Sequence, residues 1–335
     1  MMPLFMLLFF LGSQPGWSDG DLTDALERAR SRDQAVLMVV HAHWCGPCHQ
    51  LAKDVLNAES GSELLKDHVG VRIDFDSTEG QRITAQYAVL NLPSVLVLSA
   101  DGTELGRVEG YMPGPEFTRA VAKAEAGGQD PKVLASLAAQ SPDDPKINLE
   151  YAQLLLVKKR EKEAYAILKR FMDTGGSHGA AAYRIWGRWL VRIQRKGLEG
   201  AEHFLKAYDQ YKNQNYAPGF LYWAAKGYHV AGRDDKAIAL FDDWLKRQPA
   251  HRMAMLLKID FLVHYGIKTK LAERLLRKVL KKEPRNASYH YMLAQLMRKT
   301  GRLDEAEKEI RLALRSQPHR AMYQSFLKSL QAAKK

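Results

Sequence analysis

Prolines at 249, 284 and 318 stand 35 and 34 residues apart, and the stretches between them align on one another. Residues 287–318 carry Leu293-Ala294, Gly301, Ala306, Ile310, Ala313 and Pro318. Residues 253–284 carry Ile259, Val263, Ala272, Leu276, Val279 and Pro284, and residues 218–249 carry Ala224-Ala225, Tyr228, Gly232, Ala237, Phe241, Trp244 and Pro249. Two looser units precede them. One covers 145–176, with Tyr151-Ala152, Leu155, Ala164, Leu168 and Phe171; the other covers about 182–213, with Trp189, Ala201, Leu205 and Tyr208. A period near 34 residues, closed by a proline that cannot continue a helix, reads as a stack of helical hairpins. No single hairpin can bury its apolar face, so several must pack in a row.

These units resemble tetratricopeptide (TPR) repeats. In that family small residues at the eighth and twentieth positions let two helices approach, and large apolar residues at the fourth, seventh, eleventh and twenty-fourth fill the gaps. Trp189 and Asp260 stand at the eighth position of their units and break the pattern. The resemblance implies a groove lined by the first helices, with Tyr183, Trp186, Tyr222, Lys226, His229, Leu257, Phe261, His264, Tyr291, Arg298 and Lys299 facing it. Of these, Trp186, Tyr222, Lys226, Phe261, Tyr291 and Arg298 are the candidate partner-binding residues. An aromatic, basic groove suits a protein or peptide with apolar anchors and acidic flanks. The competing reading is that several of these aromatics are core between repeats.

The charge of the chain is split. Residues 1–130 hold 10 Lys+Arg against 18 Asp+Glu, and residues 131–335 hold 40 against 20. Such a step marks two domains with different surfaces. It also raises an intramolecular possibility, that the acidic half docks on the basic array and hides its own site. No nucleic-acid-binding motif accompanies the basic charge, and nucleic acid is not expected as a partner. With 46% hydrophobic residues the chain can build a sizeable core, and two cysteines are too few for a disulfide scaffold or a four-thiolate zinc site. The opening residues carry an apolar block at 3–11 followed by Gly12, Ser13, Pro15 and Gly16. This resembles a secretory signal with cleavage near 16–18, although no basic residue precedes the block. A periplasmic or secreted location is expected, with the cytoplasm as the alternative.

Both cysteines lie at one junction. Ala35-Val36-Leu37-Met38-Val39-Val40 reads as a buried strand and runs into His41-Ala42-His43-Trp44-Cys45-Gly46-Pro47-Cys48-His49, after which residues 50–56 continue as a helix. A thiolate at a helix N-terminus is stabilised by free N–H groups and the helix dipole. Cys45 is expected to be exposed and to attack a substrate disulfide; Cys48, one turn deeper, then releases the product. The same residues satisfy the C-x-x-C-H haem-attachment pattern, and His41, His43, Cys45, Cys48 and His49 offer zinc-type ligands. The flanking strand and Trp44 favour the dithiol reading, which needs no metal and no cofactor.

Trp44-Cys45-Gly46-Pro47-Cys48 resembles the thioredoxin family, whose active-site pentapeptide it matches residue for residue. Val71-Arg72-Ile73-Asp74-Phe75-Asp76 fits the family's central strand, residues 81–87 its following helix, Leu92-Pro93-Ser94-Val95-Leu96-Val97-Leu98 its proline-opened strand, residues 103–108 its last strand, Gly110 its glycine turn and residues 115–126 its final helix. The resemblance implies that Pro93 is cis beside the sulfurs, that the Leu92 backbone pairs with an extended substrate segment, and that Trp44, Gly46 and Pro47 shape the substrate groove. Gly46-Pro47 is similar to the reducing members. Two positions depart from the family: Val39 stands where its buried Asp lies, and His49 where Lys is common.

The expected architecture is an α/β thioredoxin fold, a central mixed sheet flanked by helices, followed by an all-α TPR solenoid. The expected boundaries are a signal at 1–18, the thioredoxin-like domain at 19–127, a linker at 128–144, about five repeats at 145–318 and a capping helix and tail at 319–335. The expected activity is thiol–disulfide oxidoreduction by Cys45 and Cys48, in the direction of reduction. Its partners are disulfide-bearing proteins, an upstream thiol electron donor and a groove ligand. The alternative is a protein-binding holdase in which redox chemistry is secondary.

Overall fold

The computed structural model describes residues 16–127, 131–248 and 251–334. The apolar block at 3–11 lies outside them, as do 128–130 in the expected linker and Pro249. No described helix is long and apolar enough to cross a membrane.

The first domain is a five-stranded sheet of order β1-β3-β2-β4-β5, formed by β1 (Ser18–Asp19), β2 (Ala35–His41), β3 (His68–Asp74), β4 (Ser94–Leu98) and β5 (Glu104–Glu109). β3 runs parallel to β1 and β2, whereas β4 is antiparallel to β2 and β5, so the sheet is mixed. β2 is apolar from Ala35 to Val40 because both its faces are covered. Val36, Met38 and Val40 pack with Leu22, Ala25 and Ala29 of α1 (Leu22–Arg32) and Ile83 of α4 (Thr78–Gln86). On the opposite face Leu37 and Val39 pack with Leu51 and Val55, and with Phe117 and Val121 of α5 (Gly114–Glu125). The helix expected at 50–56 is split: α2 (Gly46–Leu51) passes into a π-helical turn at Ala52–Leu56, followed by α3 (Glu59–Asp67). The folded domain begins before the expected residue 19. The Trp17 indole N–H donates to the Leu56 carbonyl at 3.0 Å, and Ser18 pairs with Val71.

The second region is entirely helical. α6 (Pro131–Gln140) leads to α7 (Pro145–Val157), whose first N–H groups are capped by the Asp144 carboxylate, accepting from Ile147 N at 3.1 Å. Five helix pairs are described, α7 with α8 (Glu161–Thr174), α9 (Gly176–Arg188) with α10 (Gly197–Tyr211), α11 (Ala217–Val230) with α12 (Asp234–Arg247), α13 (Arg252–Tyr265) with α14 (Thr269–Lys282), and α15 (Ala287–Lys299) with α16 (Leu303–Ser316), and the last three start 35 residues apart whereas the first two are less regular. α17 (Ala321–Ala333) closes the end of the stack, packing on α16. A π-helical turn at Trp189–Ile193 prolongs α9.

Ala152, Ala164, Ala201, Ala224, Ala237, Ala272, Ala294 and Ala306 are all fully buried, because at these crossings only a methyl group fits between helices. One close backbone approach joins Gly197 at the start of α10 to Gly227 on α11. A Cβ on Gly227 would lie 2.7 Å from the Gly197 carbonyl oxygen and 2.8 Å from Ala201 N. Both obstacles are backbone and cannot rotate away. Gly227→Ala is therefore expected to destabilise the protein by about 1–3 kcal/mol, read as a lower urea midpoint at unchanged m-value.

Candidate active site

β2 ends at His41, and the chain turns through Ala42, His43 and Trp44 into α2. Cys45 is the cap residue of α2, Pro47 lies in its first turn, and Cys45 and Cys48 are joined in a disulfide. The Cys48 N–H points at Cys45 Sγ at 3.2 Å, which puts the first sulfur in the field of the helix N-terminus. Ala42, Cys45 and Cys48 form a small apolar cluster with Trp44, Phe75 and Leu92. The Leu92–Pro93 peptide bond is cis, and the Pro93 carbonyl accepts from Gly110 N at 2.8 Å. Gly110 sits at φ +81°, which explains a glycine at that turn. The Trp44 indole N–H donates to Asp76 Oδ2 at 2.6 Å.

The position of the family's buried Asp is apolar here, since Val39 packs into the sheet core at 2% exposure. Burial lowers the His41 pKa against the opposing Asp74 carboxylate. It also lowers that of His49, whose Nε2 lies 2.8 Å from the His43 carbonyl oxygen. No group of three or more metal-ligating side chains forms among the described residues, so His41, His43, Cys45, Cys48 and His49 do not converge as a ligand set.

The expected exposure of Cys45 is not what the structure shows. Cys45 and Cys48 are each only 5% exposed. The cover is the helical array. α17 packs against α2, and Arg320 reaches over the loop between the cysteines, its Nη2 3.7 Å from where a Gly46 Cβ would stand. The Tyr291 hydroxyl donates to the His43 carbonyl at 3.1 Å. The Trp44 ring meets His264 edge-on at 5.1 Å, with the Lys226 ammonium 5.5 Å from its centre. Beyond the cysteines, Arg192 donates to the Leu90 carbonyl at 2.6 Å and lies over the Phe75 and Trp223 rings, each at 4.8 Å. Arg188 donates to the Asn91 side-chain oxygen and stacks over Trp223. An apolar patch completes the contact: Ala88 and Leu90 of the sheet domain pack with Leu155, Leu156, Ala164 and Trp189 of the array.

Most of the expected groove residues therefore face the chain's own redox domain or are core. Phe261 is fully buried against Ala225, Phe241 and Leu262, and Tyr183 is buried with Ala180, Phe204 and Tyr211; neither can meet a partner, because their rings fill space between helices. Tyr291 packs on Tyr323 and Phe326 besides its bond to His43. Tyr222 donates to the Asp260 carboxylate, Trp186 packs on Tyr165, and Arg298 donates to Ser329 over the Phe326 ring. Arg188, Arg192 and Arg320 reach the redox face and are not among the expected groove residues. Trp189 carried a signal as an exception to the small-residue rule, and its indole fills the contact with Ala88 and Leu90.

A chamber of about 750 Å³ remains between the two faces. Trp44, Phe75 and Asp76 line one side, and Arg192, Lys226, Asp260, His264, Arg298 and Lys299 line the other. Burial, then the Lys226 ammonium, push the His264 imidazole down to about 3, so it packs as a neutral ring. Burial, then the Arg192 guanidinium, push Lys226 down to about 7. An unfolded lysine titrates near 10.4, so above pH 7 the unfolded chain binds the additional proton and stability rises with pH. Lys226→Met abolishes that rise. Its stability relative to the wild type is expected to be greatest below about pH 7 and to fall by about pH 9, read from urea midpoints at the two pH values.

Comparison with known proteins agrees with the geometry. Residues 22–125 match a family described as a thioredoxin-like domain, and residues 268–330 match a tetratricopeptide repeat. Thiol:disulfide interchange protein DsbD of Colwellia psychrerythraea is 30% identical over 102 residues, 29% of this chain and 17% of that protein. DsbD of Pseudomonas fluorescens is 35% identical over 89 residues, 26% of this chain and 15% of that protein. The chain thus spans less than a fifth of these DsbD proteins. Thioredoxin of Bacillus subtilis is 34% identical over 93 residues, 27% of this chain and 83% of that protein. With the WCGPC disulfide at the mouth of α2 and the cis proline beside it, the chain belongs to the thioredoxin family and carries a tetratricopeptide-repeat array behind its thioredoxin domain.

Proposed function

We propose that the protein is a thiol–disulfide oxidoreductase that reduces disulfides in protein substrates, with its repeat array governing access to the reacting sulfurs. The observation that carries this reading is the Cys45–Cys48 disulfide at the N-terminus of α2, covered by α15 and α17 of the same chain. In the reduced protein, Cys45 at the cap position gains most from the helix N-terminus and is the attacking thiolate. It displaces one sulfur of the substrate disulfide, forming a mixed disulfide and releasing a thiolate that takes up a proton. Cys48 then loses its proton and attacks Cys45 Sγ. The Cys45–Cys48 bond re-forms and the second substrate sulfur leaves. Two electrons have passed to the substrate, and a thiol donor must return two to the protein. The Leu92 backbone, before the cis proline, is the strand edge offered to an extended substrate segment. Trp44, Gly46 and Pro47 border the same site.

Val39 removes the proton acceptor that the family keeps near its second cysteine, so the Cys48 proton must leave by another route. The Gly46-Pro47 pair supports the reducing direction, and the apolar block at 3–11 supports a setting outside the cytoplasm. Interaction with proteins is the role that the repeat array supports. The holdase alternative needs an open groove, whereas the first helices here face the redox domain.

Closure over the sulfurs means that a protein substrate must part the array from the sheet domain before attack. Cys48→Ser is expected to accumulate a mixed disulfide through Cys45 with a reducible protein such as insulin, visible on non-reducing gels and released by dithiothreitol. Cys45→Ser should form none and should abolish insulin reduction. Equal trapping by both variants would contradict the assigned roles.

A further inference from the structure

The second helices of the five pairs each expose one face, and four of them are neutral or slightly acidic. α8 carries three cations and three carboxylates, α10 one and three, α12 three and four, and α16 three and four. α14 carries six cations and one carboxylate, a net of +5. The apolar side of α14, with Ala272 and Leu276 fully buried, packs on α13 and α15. Lys270, Arg274, Arg277, Lys278, Lys281 and Lys282 all stand exposed on the other side. The neighbouring second helices set opposite charges three or four residues apart, as in Lys169–Asp173, Asp243–Lys246 and Glu307–Arg311. α14 sets like charges four apart at Lys270–Arg274, Arg274–Lys278, Arg277–Lys281 and Lys278–Lys282, an arrangement that destabilises a helix. The helix dipole favours Lys281 and Lys282 in the last turn but opposes Lys270 in the first. Local carboxylates do not offset the cluster. Glu273 is held by Arg277 and Arg302, and Glu283 by Arg252, while the other five cations of α14 form no ion pair among the described residues.

We propose that the outer face of α14 docks on an anionic lipid surface, which it meets by charge. The stripe runs from Lys270 to Lys282, about 18 Å along one helix at a rise of about 1.5 Å per residue. A cluster of about four to eight cations is what an anionic headgroup layer attracts. The chemistry of the stripe selects lipid over a fitted macromolecular partner. Among the described residues of α14 no aromatic or large apolar side chain is exposed, so the face offers no anchor for a protein interface and no ring on which a base could stack. Lysine supplies four of the six charges. It is depleted in fitted protein interfaces, and as a flexible point charge it suits a fluid layer of headgroups. The apolar side of α14 is spent inside the array, so the helix lies on the membrane without entering it and the contact is reversible. The surface is also separate from the redox face, because the described residues lining the chamber beside Trp44 include none from α14. Docking therefore leaves the Cys45–Cys48 site and its cover unobstructed. It raises the concentration of the redox domain near disulfides of proteins held at the same surface.

The test is sedimentation of the full-length protein with vesicles of phosphatidylcholine, pure or mixed with phosphatidylglycerol. Binding is expected to the mixed vesicles and should weaken with salt. Lys278→Gln/Lys281→Gln/Lys282→Gln should lose about a hundredfold in partitioning. Lys162→Gln/Lys169→Gln/Lys246→Gln removes the same charge from exposed positions of α8 and α12 and should bind nearly as the wild type. Both variants should reduce insulin in free solution at the wild-type rate, since none of these lysines borders the sulfurs. Should the α14 triple variant fail to fold by circular dichroism, Lys270→Gln/Arg274→Gln carries the same test, with a loss of at least about tenfold. Equal binding to both kinds of vesicle would assign membrane contact to apolar side chains such as the block at 3–11, and would overturn the proposal. No binding, or an equal loss in the two triple variants, would overturn it too. Tighter binding to polyglutamate or to a duplex oligonucleotide than to the mixed vesicles would give the face to an acidic protein or to nucleic acid instead.

Discussion

The packing of the repeat array's inner face on the loop before the cysteines is the contact on which the rest of the structure depends. Trp44 sits at its centre. Its N–H is fixed by Asp76 from the sheet domain, while Lys226 and His264 of the array close on its ring. Arg188 and Arg192 bind the oxygens of Asn91 and Leu90, two and three residues ahead of the cis proline. The array thus grips both segments that border the sulfurs, the one before Cys45 and the one before Pro93. The sulfurs themselves pack with Ala42, Trp44, Phe75 and Leu92 of their own domain, and the array closes over the segments on either side.

Charge and apolar contact act together in this interface. The sheet domain is acidic and the array strongly basic, which favours docking at long range and weakens with salt. The fixed geometry comes from shorter contacts. Ala88 and Leu90 enter an apolar pocket made by Leu155, Leu156, Ala164 and Trp189. The guanidinium groups of Arg188 and Arg192 lie over aromatic rings at 5.0 and 4.8 Å and turn their N–H groups to amide and backbone oxygens.

Much of each half was legible in the sequence because its signals are local. The β2 run Val36–Val40 alternates between two cores and reads as a covered strand. The alanines at 164, 201, 237, 272 and 306 are the buried crossings that the 34-residue pattern requires. The chemistry at Cys45 and Cys48 was legible from a five-residue motif. The closure was foreseeable only as a charge step, because periodicity reports how a helix packs on its neighbours and not what its free face meets. Phe261 and Tyr183 have the spacing of groove residues but fill space between helices, a distinction that spacing alone does not draw. The two breaks in the repeat pattern were the better signal. Trp189 begins the π-helical turn and fills the pocket against Ala88 and Leu90, and Asp260 lines the chamber opposite Trp44. Local rules fail there because the positions serve the contact between domains.

The central claim is that the array closes over the reacting sulfurs and that Arg188 and Arg192 hold it there. The direct measurement is the rate at which iodoacetamide alkylates Cys45 in the fully reduced protein, compared between the wild type and Arg188→Ala/Arg192→Ala at one pH. The account predicts faster alkylation in the variant by about tenfold or more, a shift of about 1.4 kcal/mol in the equilibrium between closed and open forms. Equal rates in the two proteins, with both shown to be folded, would contradict it.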